Sequence, residues 1–380
     1  MTKIANIEAF PTSFPVPPGG GVALGVGRAV KRDAVVVKVT TESGLVGWGE
    51  SHHGRAHTAV AALLQTTLKR LVLGMDATDT VGVWNKIYRG QLASHGMGAG
   101  CALAMSGLDM ALWDIRGKAV GWPLYRMLGG AARAVPAYAG GVALGYQPTD
   151  ELVEEARPHM EAGYRAVKLR IGDTVKNDIA RMEAVRQAFG DDSEILADAN
   201  TAYRLEDARR VMPAMDALNM GWLEEPFPPH DRRAYAEART YGSTPLAAGE
   251  NHFTRYEFAP LLDDGAIGIW QPDLSKCGGI TEALRIAAIA SAHKIPVHPH
   301  SSMTGLNQAA SIHFLCAVDN AGYFEADISR GNLFRDALVS EPWRIGADGC
   351  VHPNEAPGIG VEVDEGWLRA HPAIEGPGYV

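Results

Sequence analysis

The chain has 380 residues, 46% of them hydrophobic, and a formal net charge of -9 at pH 7. That size and apolar content suit a barrel of roughly 200 to 250 residues with a second unit beside it. The acidic balance, with no stretch that interleaves Lys or Arg with aromatic residues, excludes a nucleic-acid backbone as partner.

Cys101, Cys277, Cys316 and Cys350 are scattered with no CxxC pair, so they read as small buried hydrophobes of a reducing compartment. No apolar run approaches the roughly 18 residues of a membrane span. The N-terminal MTKIANIEAF has no charged-then-apolar leader pattern. A cytoplasmic protein without a membrane partner is therefore expected.

Residues 4–9, 34–41 and 45–50 read as short strands of an antiparallel meander, the last two joined by a Glu-Ser-Gly turn and the first followed by a Pro/Gly loop at 15–21. Gly25 and Gly27 lack the third glycine and the acidic partner of a dinucleotide site. From 57 to 128 apolar residues recur at spacings of three and four, which predicts helices and makes 101–113 a core helix. An α+β unit spanning 1–128 follows from this pattern.

After Gly129 and Gly130 the texture changes. Eight short apolar runs, at 134–141, 166–172, 194–200, 221–226, 245–251, 267–273, 295–301 and 322–328, alternate with amphipathic segments such as 150–162, 174–189, 205–218 and 280–293. Eightfold strand-helix alternation predicts an α/β fold with a parallel barrel over 129–345. Residues 346–380 return to Gly/Pro-punctuated extended segments and are expected to pack back on the first unit.

A parallel barrel places its active site at the C-terminal ends of its strands. Nearly every run ends in a polar residue there: Lys168 and Arg170, then Asp198 and Asn200, Glu224, Glu250 and Asn251, Asp273, and His298 and His300, while the eighth run contains Glu325. Asp198, Glu224 and Glu250 fall on three consecutive strands. Three hard anionic oxygens with room for water suit Mg2+, with Mn2+ as the other ion such a set accepts. No HExxH or Cys/His cluster favours zinc. Lys168 and Arg170, two apart on a strand, share a face. Asp273 could orient His300 as an acid-base group, with His298 on the same face as its rival.

The segments SGLDMALWDIRGKAVGWPLYRMLGG, VKLR, ADAN, LEEP, AGEN, QPDLSKCGG, HPH and FEAD together resemble the mandelate racemase subgroup of the enolase superfamily, nearly end to end. The resemblance implies an α+β capping domain, built from the N-terminal unit and the C-terminal tail, over a (β/α)7β TIM-type barrel whose first or last helix is irregular. It also implies a homo-oligomer. Asp198, Glu224 and Glu250 would then hold the metal, Asp273 and His300 would form the dyad, and Glu325, protonated, would contact the substrate carboxylate. Asp273 stands where muconate-lactonizing relatives carry a lysine, which leaves Lys276 a supporting role.

The chain departs from the racemase pattern at Arg170, where that pattern has a second lysine acting as base. A guanidinium is a poor base at neutral pH. The expected reaction is therefore magnesium-dependent dehydration of a sugar acid through an enediolate, with His300 abstracting the α-proton and Lys168 stabilising charge. An epimerase or lactone cycloisomerase on the same scaffold is the first rival, and a barrel that only binds a sugar acid the second. The 15–21 loop reads as a lid, and Ser51, His52, His53 and Arg55 as contacts to a polyol or distal carboxylate. Asn200, Asn251, Tyr138 and Trp270 are further candidates for the pocket wall.

Overall fold

A computed structural model describes residues 2–17 and 21–380. Strands β1 (Ile4–Pro15), β4 (Lys31–Thr41) and β5 (Val46–Ser51) form an antiparallel sheet in the order β1-β4-β5, and a small hairpin, β2 (Ala23–Leu24) with β3 (Gly27–Arg28), projects from it. β-Branched residues dominate β4, and its alternation serves two cores. Val35, Val37 and Val39 pack with Ile4 and Ile7, while Ala34 and Val36 join Trp48 on the opposite face. β1 runs six residues further than its sequence pattern predicts, through Pro11 and into Pro15. As an edge strand it tolerates proline, whose missing N–H breaks no interior ladder.

Helix Ala99–Val120 is buried along most of its length, as expected for a core helix. It crosses β5 at Gly47 and Gly49, where an added Cβ would lie 2.1 Å from the carbonyl oxygens of Ala111 and Gly107. Glycine there lets the cap helix seat directly on the strand that carries Glu50.

The second unit is a ring of parallel strands: β6 (Val135–Gly140), β7 (Ala166–Arg170), β8 (Glu194–Asp198), β9 (Leu223–Glu224), β10 (Leu246–Ala248), β11 (Ile267–Trp270) and β12 (Phe324–Asp327), in the order β11-β10-β9-β8-β7-β6-β12. The run at 295–301 contributes only Val297, which bridges Trp270 on one side and Ala321 on the other and so links the two ends of the ring. Pro296 and Pro299 flank it and deprive a longer ladder of donors. Helices follow the strands, from Thr149–Glu161 to Gly305–Leu315, but the segment directly after β12 forms just the single turn Leu333–Asp336. The irregular unit is therefore the last one.

Tyr138, Leu196, Trp222 and Ile269 plug the barrel interior, and the polar layer that carries the chemistry sits above them. The tail begins on the barrel: β13 (Cys350–Val351) pairs antiparallel with Pro136 and Val135 of β6. It then returns to the cap, where Lys38 meets Glu365 at 2.6 Å, Thr12 donates to the His371 carbonyl, and Arg28 and Val380 exchange backbone hydrogen bonds. Three cysteines are buried, as expected; Cys350 is partly exposed. No helix among the described residues is long and apolar enough to cross a membrane.

Candidate active site

Strand ends bring the sequence-derived candidates into one buried network. The Lys168 ammonium lies 2.8 Å from Glu224 Oε1, 3.0 Å from Glu325 Oε1 and 3.5 Å from Asp198 Oδ2. Burial works against its charge, but Glu224, Glu325 and Asp198 outweigh that and keep it protonated well above the usual lysine range. Two residues on and on the same face, the Arg170 guanidinium pairs with Asp198, donates to Asn200 Oδ1 at 3.2 Å and reaches the Gly141 carbonyl. Burial opposes the Arg170 charge as well, and Asp198 and the other acids overcome it, raising its pKa. Both cations on β7 are thus engaged by carboxylates.

Glu224 is held from below, its Oε2 accepting from Trp222 Nε1 at 3.1 Å and Gln271 Nε2 at 2.7 Å. Burial, reinforced by Asp198, lifts its carboxyl to about 7. Glu250 faces Lys276 at 3.1 Å and His300 Nε2 at 3.0 Å; burial opposes its charge, yet His300 and Lys276 hold it well below the usual carboxylate range.

His300 Nδ1 lies 2.7 Å from Asp273 Oδ2. The other oxygen of Asp273 accepts from the Ser275 N–H at 2.7 Å, the Ser275 hydroxyl at 2.6 Å and Asn307 Nδ2 at 3.0 Å, so the dyad has a fixed orientation. Burial disfavours a charged imidazole, but Glu250, Glu325 and the Asp273 bond raise His300 to about 9. His298 is not among the residues that line the cavity over this floor. It shares the inward face one layer deeper, accepts from the Tyr323 N–H at 2.9 Å, packs edge-on against Trp222, and is pushed down to about 4 by burial.

Glu325 departs from the sequence expectation of a protonated donor. Its oxygens accept from the Gly141 N–H at 3.2 Å and the Ser301 N–H at 3.0 Å. Burial pushes it up, but Lys168, His300 and Arg170 prevail and hold it at about 2. Tyr138, expected at the pocket wall, lies a layer below the rim, fully buried beneath Lys168 and against Trp222, and is not among the residues lining the cavity above the floor. Trp270 packs outward on Phe258 in the core, and Ser51 turns inward to the Ala104 carbonyl.

A cavity of about 400 Å3 opens over this floor. Arg170, Asn200, Glu250, Asn251, Lys276 and His300 rise into it from the barrel, and His52, His53 and Arg55 enter from the cap. Among the described residues the cover comes from Leu24 and Val26 of the β2–β3 hairpin and from Tyr379 of the tail. Gly25 allows that docking: a Cβ there would lie 2.6 Å from the Ala199 carbonyl oxygen. Residues 18–20 of the expected lid lie outside the described residues.

Sequence reasoning missed two acids. Glu225 follows Glu224, and strand alternation should turn it away, but its φ of +37° rotates it to the cavity wall, where Asn251 Nδ2 spans both its oxygens at 2.9 and 3.1 Å. Asn200 and Thr201 beside it also have positive φ, 43° and 63°. Such strain at strand ends is found where side chains must be re-aimed. Glu50, fully buried at the end of β5, accepts from the Thr304 N–H at 3.0 Å and hydroxyl at 2.5 Å.

Comparison with known proteins places this architecture. Residues 151–367 match the enolase C-terminal domain-like family model, and residues 10–129 match the mandelate racemase / muconate lactonizing enzyme N-terminal domain. The chain belongs to the mandelate racemase / muconate lactonizing enzyme family. Among relatives of this family, it is 33% identical over 354 residues to a D-galactarolactone cycloisomerase of Agrobacterium fabrum, covering 90% of this chain and 92% of that one. It is 31% identical to an arabinonate dehydratase of Saccharolobus solfataricus over 89% and 90% of the two chains. A solved enolase superfamily member from Polaromonas sp. JS666 superposes with a TM-score of 0.97 at 55% identity over the full length of both chains. A racemase from Streptomyces coelicolor with bound magnesium superposes at 0.88 and 28% identity, over 97% and 99%.

Proposed function

We propose that the protein dehydrates a sugar acid, using His300 as its single acid-base group, with a divalent cation held by Asp198, Glu224 and Glu250. The carrying observation is the asymmetry across the floor. His300 reaches the cavity on one side, while β7 offers only the ion-paired Lys168 and Arg170 on the other. A racemase needs a base on each face of the α-carbon; a dehydratase needs one group that first takes a proton and then returns it. The dehydratase and cycloisomerase relatives support this class of chemistry.

The donor set fits a hard cation. Six carboxylates, those of Asp198, Glu224, Glu225, Glu250, Asp273 and Glu325, crowd the floor against three permanent cations, Lys168, Arg170 and Lys276. Among the described residues no three acidic, His or Cys side chains stand close enough to enclose an ion; Lys168, Lys276 and His300 pair with the carboxylates instead. Charge and ligand chemistry favour Mg2+ over softer ions, and bound magnesium in the Streptomyces racemase supports the same ion here. When bound, the cation would polarise the substrate carboxylate and make its α-proton more acidic.

His300 in its neutral form then takes the α-proton on Nε2, with Asp273 holding the ring by Nδ1; a cation held by Glu250 would replace the pairing that raises the imidazole in its absence. Lys168 balances negative charge that develops on the carboxylate. The imidazolium returns its proton to the departing β-hydroxyl, so water leaves as the α,β double bond forms. The enol so produced tautomerises to a 2-keto-3-deoxy acid.

A screen of sugar acids with Mg2+, read by semicarbazide trapping of keto acid and by NMR in D2O, tests this reading. Keto acid is the expected product. Deuterium at the α-carbon with inversion and no keto acid would replace dehydration by epimerization.

A further inference from the structure

The cavity changes character between its middle and its cap wall. In the middle, Asn200, Thr201, Glu225 and Asn251 offer both donors and acceptors. That mixture suits hydroxyl groups, each of which donates one hydrogen bond and accepts others.

The cap wall is built otherwise. The Gly54 N–H donates to His52 Nδ1 at 3.1 Å, and the Arg55 N–H donates to His53 Nδ1 at 2.9 Å. A ring nitrogen that accepts carries no proton, so each neutral ring must carry its hydrogen on Nε2. Both rings are neutral: burial and nearby positive groups push His53 down to about 3 and His52 well below its usual value. Neither Nε2 has a hydrogen-bond partner among the described residues, the ring centroids lie 4.1 Å apart, and both rings line the cavity.

Arg55 completes the set. It lines the cavity lip with no carboxylate within 4 Å among the described residues, resting only on the Tyr379 ring at 5.4 Å. Its φ of +57° is a left-handed value that an arginine adopts at a cost. The strained turn both aims the guanidinium and supplies the N–H that sets the His53 tautomer. Leu24 and Val26 make the rest of this wall apolar.

Two imidazole N–H groups and a free guanidinium form a donor surface with net positive charge and, among these side chains, no carboxylate. A terminal hydroxymethyl group would leave its own proton unmatched there; a carboxylate, which only accepts, would not. Building on the reading above, in which the barrel floor takes the reacting carboxylate, we propose that the substrate is a sugar diacid, an aldarate, whose second carboxylate docks on His52 Nε2, His53 Nε2 and Arg55.

The test uses the full-length protein with Mg2+ and two matched pairs of probes: galactarate against galactonate, and glucarate against gluconate. Calorimetry on the His300→Asn protein measures binding without turnover, and kcat/KM is measured on the wild type. At least one diacid should bind about tenfold or more tighter than its monoacid partner. Arg55→Met should shrink that ratio towards one, mainly through KM, and Arg55→Lys should keep part of it. Equal or better binding of the monoacids, an equal loss on both classes in Arg55→Met, or no binding of either class overturns the proposal.

Its failure is separable from failure of the dehydration reading. A monoacid converted to keto acid keeps dehydration and sinks the diacid. Diacid-selective binding that yields a lactone or an epimer does the reverse.

Discussion

The floor and the cap wall of this cavity are polar in opposite ways. On the floor every charge has a partner: Lys168 touches three carboxylates, Asp273 accepts four hydrogen bonds, and His300 is tied at both nitrogens. On the cap wall the polar groups are fixed through the backbone, and their working ends are left open. A fully cross-braced set holds reacting groups in one geometry, which suits chemistry common to many substrates. Open donors on a loop can be exchanged without disturbing that geometry, which suits selection among substrates.

The contrast breaks most severely at His300. His300→Asn removes the single acid-base group while keeping a hydrogen bond to Asp273, and kcat for keto-acid formation should fall by about 1000-fold. Retained turnover would move the base elsewhere on the floor. Asp273→Asn should cost less, about 100-fold, because His300 loses orientation but survives. The loss should appear in kcat more than in KM, with a displaced pH profile; an unchanged profile would make Asp273 a scaffold residue only.

Arg170→Lys sharpens the one-sided assignment. An amine in that place can lose its proton, which a guanidinium does not. The variant should form less keto acid and should exchange the α-proton of recovered substrate with D2O, visible by NMR. No exchange would mean that this position does not reach the α-carbon.

The floor was legible in the sequence because each candidate side chain lies within or just beyond an apolar run, and such runs recur once per βα unit. Asp198, Glu224, Glu250, Asp273, His300 and Glu325 could therefore be placed on one rim from their spacing alone. What was lost depended on geometry that periodicity does not carry. Tyr138 shares the inward face but sits two residues below the rim, where the same face is barrel core. Glu225 reaches the cavity only through a positive φ. Glu325 reads as a donor until its two N–H partners and Lys168 are seen together. The cover over the cavity joins Val26 and Tyr379, more than 300 residues apart in the chain, and no local pattern announces that contact.

Glu50 links the two regions and yields the smallest effect. Its carboxyl leaves the cap on β5 and caps the loop behind His300 through Thr304, where burial, against the Thr304 bonds, pushes it from 4.5 up to about 8. A buried acid with a raised pKa binds its proton more tightly folded than unfolded. Its contribution to stability is therefore full below about 4.5 and drains away as pH rises through about 8. Asp109, lifted to about 7 by burial, adds to the same decline. Glu50→Gln keeps an acceptor for Thr304 but cannot ionise, so its thermal midpoint should fall less between pH 5 and pH 8.5 than that of the wild type, by roughly 3 °C or more. An identical fall in both proteins would mean that Glu50 is ionised when folded and that its two Thr304 bonds alone offset burial. With the smaller fall, neutral Glu50 would join cap to barrel without adding a seventh charge to the acid-rich floor.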